Sequence, residues 1–477
     1  AVYDLLTNEN EINRDLIDLY AEKHCVCPFE MSLDVTLWAD AIICDYNYVF
    51  DPNVYLRRFF QNEKKNDYIF LVDEAHNLVD RAREMYSAVL YKDSFLKVKQ
   101  LVKDKSAELK KQLEQCNKDL LMLKRECDEF EVVTNVDSFS MHLMRLMTEF
   151  EIFLQKNHII DGKDEILQLY LDVRHFLNIY EILDDNYTIY TDYENGDNFR
   201  IKLQCMDPST NLYKCMERGR STVLFSATFL PINYYKEQLG GKKEDYAVYA
   251  PTSFLPENRL IMIANDISTK YTRRTPKEFR KIADYIKEFT GARTGNYMVF
   301  FPSYQMLSQV AEIVKDEMEG LDIQSSNMTE EERENFLEGF LPNPVTSRVA
   351  FCVMGGIFSE GIDLKNNRLI GAIIVGTGLP MVCNERELFR GYFDERNRMG
   401  FEYAYLYQGM NKVLQSAGRV IRTKEDVGAI LLLDDRFTKN QYARLFPREW
   451  FPNVIVNRKT MLTTLEDFWE EKAKDKS

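Results

Sequence analysis

Tyr68-Ile69-Phe70-Leu71-Val72 runs directly into Asp73-Glu74-Ala75-His76. The apolar run is rich in β-branched and aromatic residues and predicts a buried strand. That strand ends in two adjacent carboxylates. In open α/β sheets, ligands bind beyond the carboxyl ends of the strands. An NTP-hydrolysing site needs one carboxylate to hold Mg²⁺ and a second to orient or deprotonate water. An ordinary solvated strand-to-loop junction would look the same, so the tetrapeptide alone decides little.

What lies downstream, and in which order, raises its weight. Ser221 to Phe229 reads as a strand running into Ser226-Ala227-Thr228, a small hydroxyl turn. Gly355-Gly356 precedes Ser359-Glu360-Gly361-Ile362-Asp363, a loop with room for exposed backbone N–H groups. Gln415 to Arg422 reads Q-S-A-G-R-V-I-R, and the spacing predicts Arg419 and Arg422 on one face of a helix. Two fixed guanidiniums suit a triphosphate whose charge builds at the transition state. Basic residues near a helix C-terminus also simply offset its dipole. Phe300-Phe301-Pro302-Ser303-Tyr304 sets aromatics at a strand end, where they could stack on a single strand's bases or pack in a core.

The 477 residues exceed one ordinary core and imply two to four domains. Apolar residues make up 45% and charged residues 29%, the balance of a globular protein. No apolar run is long enough to cross a bilayer, so no membrane partner is expected. The net charge of −15 does not advertise a nucleic-acid binder. A basic groove is a local feature, however, and fits within an acidic chain. Nine scattered cysteines point to a reduced, cytosolic setting.

Two α/β segments flank a helical stretch. A short strand is expected over Ala39 to Cys44, and a helix over Val54 to Phe60. Leu109, Leu113, Cys116, Leu120, Leu123, Cys127 and Phe130 alternate by four and three, which predicts a near-heptad helix. Further amphipathic helices follow over 137–156 and 163–183. A hairpin over 186–205 turns at Asn195-Gly196. From about 257 the strand–helix rhythm resumes, with parallel strands at 297–301, 348–352, 369–375 and 429–433. The fold class is α/β: two doubly wound parallel-sheet domains with a helical insertion in the first. The divisions are 1–90, then 91–205 for the insertion, 206–256 for the end of the first domain, and 257–477 for the second.

The ordered set D-E-A-H, S-A-T, G-x-F-S-E-G-I-D and Q-x-x-G-R-x-I-R resembles the superfamily 2 DNA helicases of the XPD/DinG type, from Cys27 to Arg436. The D-E-A-H stretch is similar to their Walker B motif and the helical insertion to their Arch domain, and the resemblance implies that both doubly wound domains are RecA-like. Cys27-Pro28-Phe29-Glu30 resembles the final cysteine of their [4Fe–4S] segment. The resemblance is closest to bacterial DinG-like proteins. It implies ATP-driven 5′→3′ translocation on single-stranded DNA and separation of forked or duplex DNA in repair, by a monomer in the bacterial cytoplasm at the nucleoid. It implies Asp73 as the Mg²⁺ ligand through water, Glu74 as base, and Arg419 and Arg422 at the γ-phosphate. His76, Gly361, Asp363, Gln415 and Gly418 would meet ATP. Thr228, Ser303, Tyr304 and Ser359 would meet nucleic acid. Cys27 would be an iron–sulfur ligand.

Two pieces of that pattern are absent. No G-x-x-x-x-G-K-[ST] occurs, and Gly240-Gly241-Lys242-Lys243 lacks both the upstream glycine and the hydroxyl. Cys27 has only Cys25 nearby, and two thiols do not make a four-cysteine cluster site. Both missing pieces would lie upstream in the family. The expectation is therefore an N-terminally truncated helicase fragment, poor at ATP hydrolysis and without its cluster. The alternative is a non-catalytic single-strand-binding or scaffold protein derived from a helicase. A nuclease would need a separate acidic metal cluster, and none is evident in the sequence.

Overall fold

The computed structural model describes residues 1–60, 67–157, 162–359 and 362–474. The chain forms two compact units, Ala1–Lys64 and Lys65–Ser477.

In the first unit the helices Val2–Asn8, Arg14–His24 and Pro28–Val35 close on a small core of Leu5, Tyr20, Ala21 and Met31. Asn13 caps the second helix, its side chain accepting from Leu16 N at 3.0 Å. Lys23 and His24 end that helix and bind Asp4 at 2.7 and 2.8 Å. Hydrogen bonds from these two bases hold the Asp4 carboxyl down at about 2. The strand expected over Ala39 to Cys44 is instead coil, and Ile43 is fully exposed. Among the described residues this unit has no strand to pair with it, and a lone strand leaves its backbone groups unbonded. The helix expected over Val54 to Phe60 is only Arg57–Phe60.

The second unit holds thirteen strands among the described residues. In chain order they are β1 Ile69–Val72, β2 Ala88–Tyr91, β3 Phe130–Val132, β4 Tyr187–Glu194, β5 Asn198–Cys205 and β6 Ser221–Leu224. β7 Arg259–Ala264, β8 Asn296–Phe301, β9 Leu321–Ile323, β10 Arg348–Val353, β11 Gly371–Val375, β12 Gly428–Leu433 and β13 Val454–Val456 follow. They make three sheets: a parallel pair β1-β6, an antiparallel sheet β2-β5-β4-β3, and a parallel sheet β13-β7-β12-β11-β8-β10-β9.

The seven-stranded sheet carries the main core of the second unit. β8, β11 and β12 are buried along their whole length, which explains their unbroken apolar sequences. The helices Pro276–Gly291, Tyr304–Val314 and Arg458–Lys474 contribute Ile282, Ile286, Val310, Leu465 and Trp469 to its core.

Between β1 and β6 the chain makes the helical insertion. The helices Lys92–Val102, Ala107–Glu126, Asp137–Lys156 and Lys163–Tyr180 stand beside the antiparallel sheet. Leu109, Leu113, Cys116 and Leu120 are completely buried, as their spacing predicts. Phe130 is not on that helix. The helix stops at Glu126, and Phe130 opens β3, where its ring packs against Tyr190 at 5.0 Å. The β4–β5 hairpin turns at Asn195 and Gly196, both with positive φ.

The β1-β6 pair is unusual for a parallel sheet. Ile69, Leu71 and Val223 are 61, 69 and 50% exposed. Parallel sheets are ordinarily covered on both faces.

Candidate nucleotide and nucleic-acid site

Asp73 and Glu74 leave β1 at its carboxyl edge, both facing solvent. Glu74 has φ of +44°. A side-chain-bearing residue adopts that left-handed conformation at a cost of about 1 kcal/mol. The Glu74 N–H donates to Asp73 Oδ1 at 2.7 Å, and Ala75 N–H donates to Phe225 O at 3.1 Å, so the turn is tied to itself and to the end of β6.

His76 starts the next helix and is buried. Its Nδ1 lies 2.7 Å from Ser226 Oγ and 3.3 Å from Glu74 Oε2. Its Nε2 lies 2.7 Å from Gln415 Nε2. An amide nitrogen can only donate, so Nε2 accepts and Nδ1 carries the ring hydrogen. Within the second unit, the part that carries β1 and β6 is the first lobe and the part built on the seven-stranded sheet is the second, and the ring links the acidic turn of the first to the Gln415 helix of the second. The hydrogen bond from His76 holds the Glu74 carboxyl below its ordinary range, with help from Ser226 and the charge of Arg419 against partial burial.

The second lobe presents its arginines differently from the sequence expectation. The helix Tyr407–Ala417 ends before them, with Gly418 as its cap. Arg419 and Arg422 are not on a helix face. The Asp426 carboxylate takes the N–H groups of Arg422 and Thr423 at 2.7 Å each and bends the chain into a turn. The guanidiniums nevertheless converge. Arg419 Nη1 and Arg422 Nη2 donate to Ile362 O at 3.0 and 3.1 Å, and Arg419 Nε to Ser359 O at 2.9 Å. Asp363 pairs with Lys365 at 2.8 Å. That bond, and then the charges of Arg422 and Arg419, keep its carboxyl low. Gly361 lies outside the described residues.

The four residues expected to meet nucleic acid occupy distinct places. Thr228 is buried beside Ser226, its N–H donating to Ser226 Oγ at 3.1 Å. Ser303 caps the helix after β8, accepting from Met306 N at 3.3 Å. Tyr304 is exposed, and its hydroxyl accepts from Gln324 Nε2 at 3.0 Å. Ser359 is completely buried. Its hydroxyl accepts from Gly355 N at 2.9 Å and donates to Val353 O at 3.2 Å, which fastens the loop after β10. Gly355 itself has φ of +71°. It lets the Lys412 stem lie within 3.0 Å of where a Cβ would be.

Mg·ATP fits the donor set in part. The exposed carboxylate pair suits a hard cation. Arg422 Nε is buried with no hydrogen-bond partner among the described residues, as a cation kept for an anion would be. A phosphate-cradling loop is not among these residues. An iron–sulfur cluster does not fit. Cys25 and Cys27 are both exposed, and among the described residues no group of three or more His, Cys, Asp or Glu side chains could hold a metal ion.

Sequence reasoning missed what joins the lobes. A cavity of about 260 Å³ is lined by His76, Asp80, Tyr234, Arg386, Lys412 and Gln415. Burial, and then the charge of Arg386, lower the Lys412 ammonium. Glu385 accepts from Tyr190 Oη at 2.8 Å and Lys202 Nζ at 3.0 Å, tying the insertion's sheet to the second lobe. These contacts span nearly two hundred residues and leave no local signal.

Residues 4–95 match the DEAD_2 family model, and residues 286–453 match the Helicase C-terminal domain model. The chain is 24% identical to the ATP-dependent DNA helicase XPD of Sulfolobus acidocaldarius, over 86% of this chain and 72% of that one. The chain is a relative of the XPD-type superfamily 2 helicases. Likeness to the ATP-dependent DNA helicase CHL1 of Candida glabrata is also 24%, over 94% of this chain and 60% of that protein. The solved XPD helicase fold superposes with a TM-score of 0.60 at 19% identity, covering 94% of this chain and 79% of that one. Xpd4 of S. tokodaii gives 0.58 at 14% identity, covering 86% and 81%. The chain thus spans about 60 to 72% of the length of these curated XPD-type relatives.

Proposed function

We propose that this chain is the larger part of an ATP-dependent DNA motor that moves 5′→3′ on single-stranded DNA and opens forked or duplex DNA in repair. The observation that carries the reading is the His76 bridge. One ring contacts Glu74 and Ser226 in the first lobe and Gln415 in the second. The state of the acidic turn is thereby felt across the interlobe cleft, as a motor requires. In this reading, residues 1–90 and 206–256 belong to motor domain 1, 91–205 to an Arch-like insertion, and 257–477 to motor domain 2.

When bound, Mg·ATP supplies the phosphoanhydride that is hydrolysed. Asp73 would hold the cation through water. Glu74, kept anionic by His76, would orient the attacking water and take its proton. Arg419 and Arg422 would stabilise the γ-phosphate from the second lobe, and Ser226 and Thr228 would relay the change toward the DNA side. His76, Asp363, Gln415 and Gly418 would meet the nucleotide, and Gly361, outside the described residues, would join them by the family resemblance.

The exposed faces of Ile69, Leu71 and Val223 support the view that motor domain 1 is incomplete in these residues. We place the covering strands and the phosphate loop in an upstream segment. A helicase-derived scaffold would need no such segment.

The test measures DNA-stimulated ATP hydrolysis for the 477 residues and for the longer gene product. Near-background turnover is expected from the former. In the longer product, Glu74→Gln should cost about a hundredfold or more, the scale of a lost general base. Full turnover by the 477 residues, or no effect of Glu74→Gln, sinks the assignment.

A further inference from the structure

The loop after β7 reads Lys270-Tyr271-Thr272-Arg273-Arg274-Thr275-Pro276-Lys277. It carries four cations and no acid, in a chain where acids outnumber bases 76 to 61. Residues 271–277 are all exposed, and the Tyr271 ring is 85% exposed. Lys270, Arg273 and Lys277 form no ion pair among the described residues, and Arg274 uses its Nε on Thr269 O at 3.1 Å. Nearby carboxylates are engaged elsewhere. Glu278 accepts from Ser268 N at 2.8 Å, Asp435 from Ser268 Oγ at 3.2 Å, and Asp266 from Tyr285 Oη at 2.5 Å.

The loop is also held firmly from below. Asp434 is completely buried and takes Thr269 N and Oγ1 at 2.9 and 2.6 Å. Arg436 closes that network on Asp434 at 2.7 Å and on Thr269 Oγ1 at 2.8 Å. The Arg274 guanidinium lies 5.9 Å from the Tyr271 ring centroid and helps hold it, which leaves the ring's other face open. An aromatic ring on a rigid base costs little ordering entropy when it engages a ligand.

Position completes the case. β7 and β8 are separated in the sheet by β12 and β11, and all four strands are parallel. Their carboxyl ends therefore share one edge, with Tyr271 beyond β7 and Ser303-Tyr304 beyond β8. At about 4.8 Å per strand the carboxyl ends of β7 and β8 stand roughly 14 Å apart. That is about four nucleotides at the roughly 3.4 Å spacing of a stacked strand.

We infer that the Lys270–Lys277 loop is a second grip on single-stranded nucleic acid, with Tyr271 stacking on a base and Arg273 and Lys277 meeting phosphates. The inference rests on the single-strand reading above and adds a contact beyond Ser303-Tyr304. Single-stranded rather than duplex nucleic acid is favoured, because an exposed ring needs an unstacked base.

The experiment is fluorescence anisotropy with a labelled oligothymidylate of about 20 nucleotides, long enough for one binding groove. Tyr271→Ala should weaken binding about tenfold, the scale of one lost base–aromatic stack, and Tyr271→Trp should restore it. Arg273→Ala with Lys277→Ala should lower the slope of log affinity against log salt by about 1.4, the single-strand value for two phosphates. All these side chains are exposed, so folding is not at issue. Oligothymidylate binding that neither variant changes overturns the loop and leaves the motor reading standing. A chain that does not bind the oligonucleotide at all overturns both. Equal binding of a duplex, with no effect of Tyr271→Ala, reduces the loop to a general electrostatic patch and also overturns it.

Discussion

Glu74 shows how one residue's conformation and its ionisation are fixed together. Its positive φ turns the side chain back toward His76 and Ser226, which hold it ionised. The sign of the pH effect follows. The folded carboxyl lies below its ordinary 4.5. The stabilisation from its charge is thus complete above 4.5 and is lost as pH falls below it toward the folded value. Urea unfolding of the chain and of Glu74→Gln, compared between about pH 7 and pH 3, should show the two stabilities converging in the acid range. A gap that is independent of pH would place the charge outside the folding balance. Half of this site is legible in local sequence, because Asp73, Glu74 and His76 are neighbours. The other half is not. Gln415 is 339 positions from His76, and only packing brings them to 2.7 Å.

At the scale of elements, two leucines at helix and strand centres should respond very differently to substitution. Leu113 is completely buried in the insertion's long helix. Leu113→Ala should cost about 2 to 5 kcal/mol in the melting of that region. Leu71 lies mid-strand in β1 and is 69% exposed. Leu71→Thr keeps a strand-forming residue and should change stability by no more than about 0.5 kcal/mol, as surface substitutions do. Chemical denaturation checks both. A large loss at Leu71 would mean that the β1-β6 face is already covered in solution. Periodicity located the insertion helices because burial repeats with the helical turn. It misplaced Phe130 and the two arginines because a strand start and an Asp426 turn are chosen by partners distant in space or by side-chain capping.

At the scale of the whole second unit, the lobes are joined by aromatic and ionic contacts around the helix Asn384–Asn397. Arg83 lies 4.4 Å from the Phe389 ring centroid, and Tyr234 meets Tyr403 edge-on at 4.7 Å. Tyr403 Oη donates to Glu237 at 2.9 Å. Glu385 extends this seam to the insertion. Glu385→Ala would leave Lys202 partly buried without its carboxylate. Hydrogen exchange should then rise in β4, β5 and the start of the Asn384–Asn397 helix while β8 and β12 stay protected. Unchanged exchange in β4 and β5 would show that the insertion stands independently of the second lobe.

The sequence by itself determined the class of fold and set an acidic pair at the end of a strand. Buried parallel strands need continuous apolar runs, amphipathic helices need a repeating stripe, and phosphate chemistry needs carboxylates and guanidiniums at strand and helix ends. These demands act within a few residues of one another. Only the tertiary structure decided that Asp73-Glu74-Ala75-His76 is wired through one imidazole to Gln415, that Arg419 and Arg422 meet at Ile362, and that β1 and β6 carry an uncovered face. Those are properties of pairs far apart in the chain, set by how lobes pack and by which sheet edge each loop reaches.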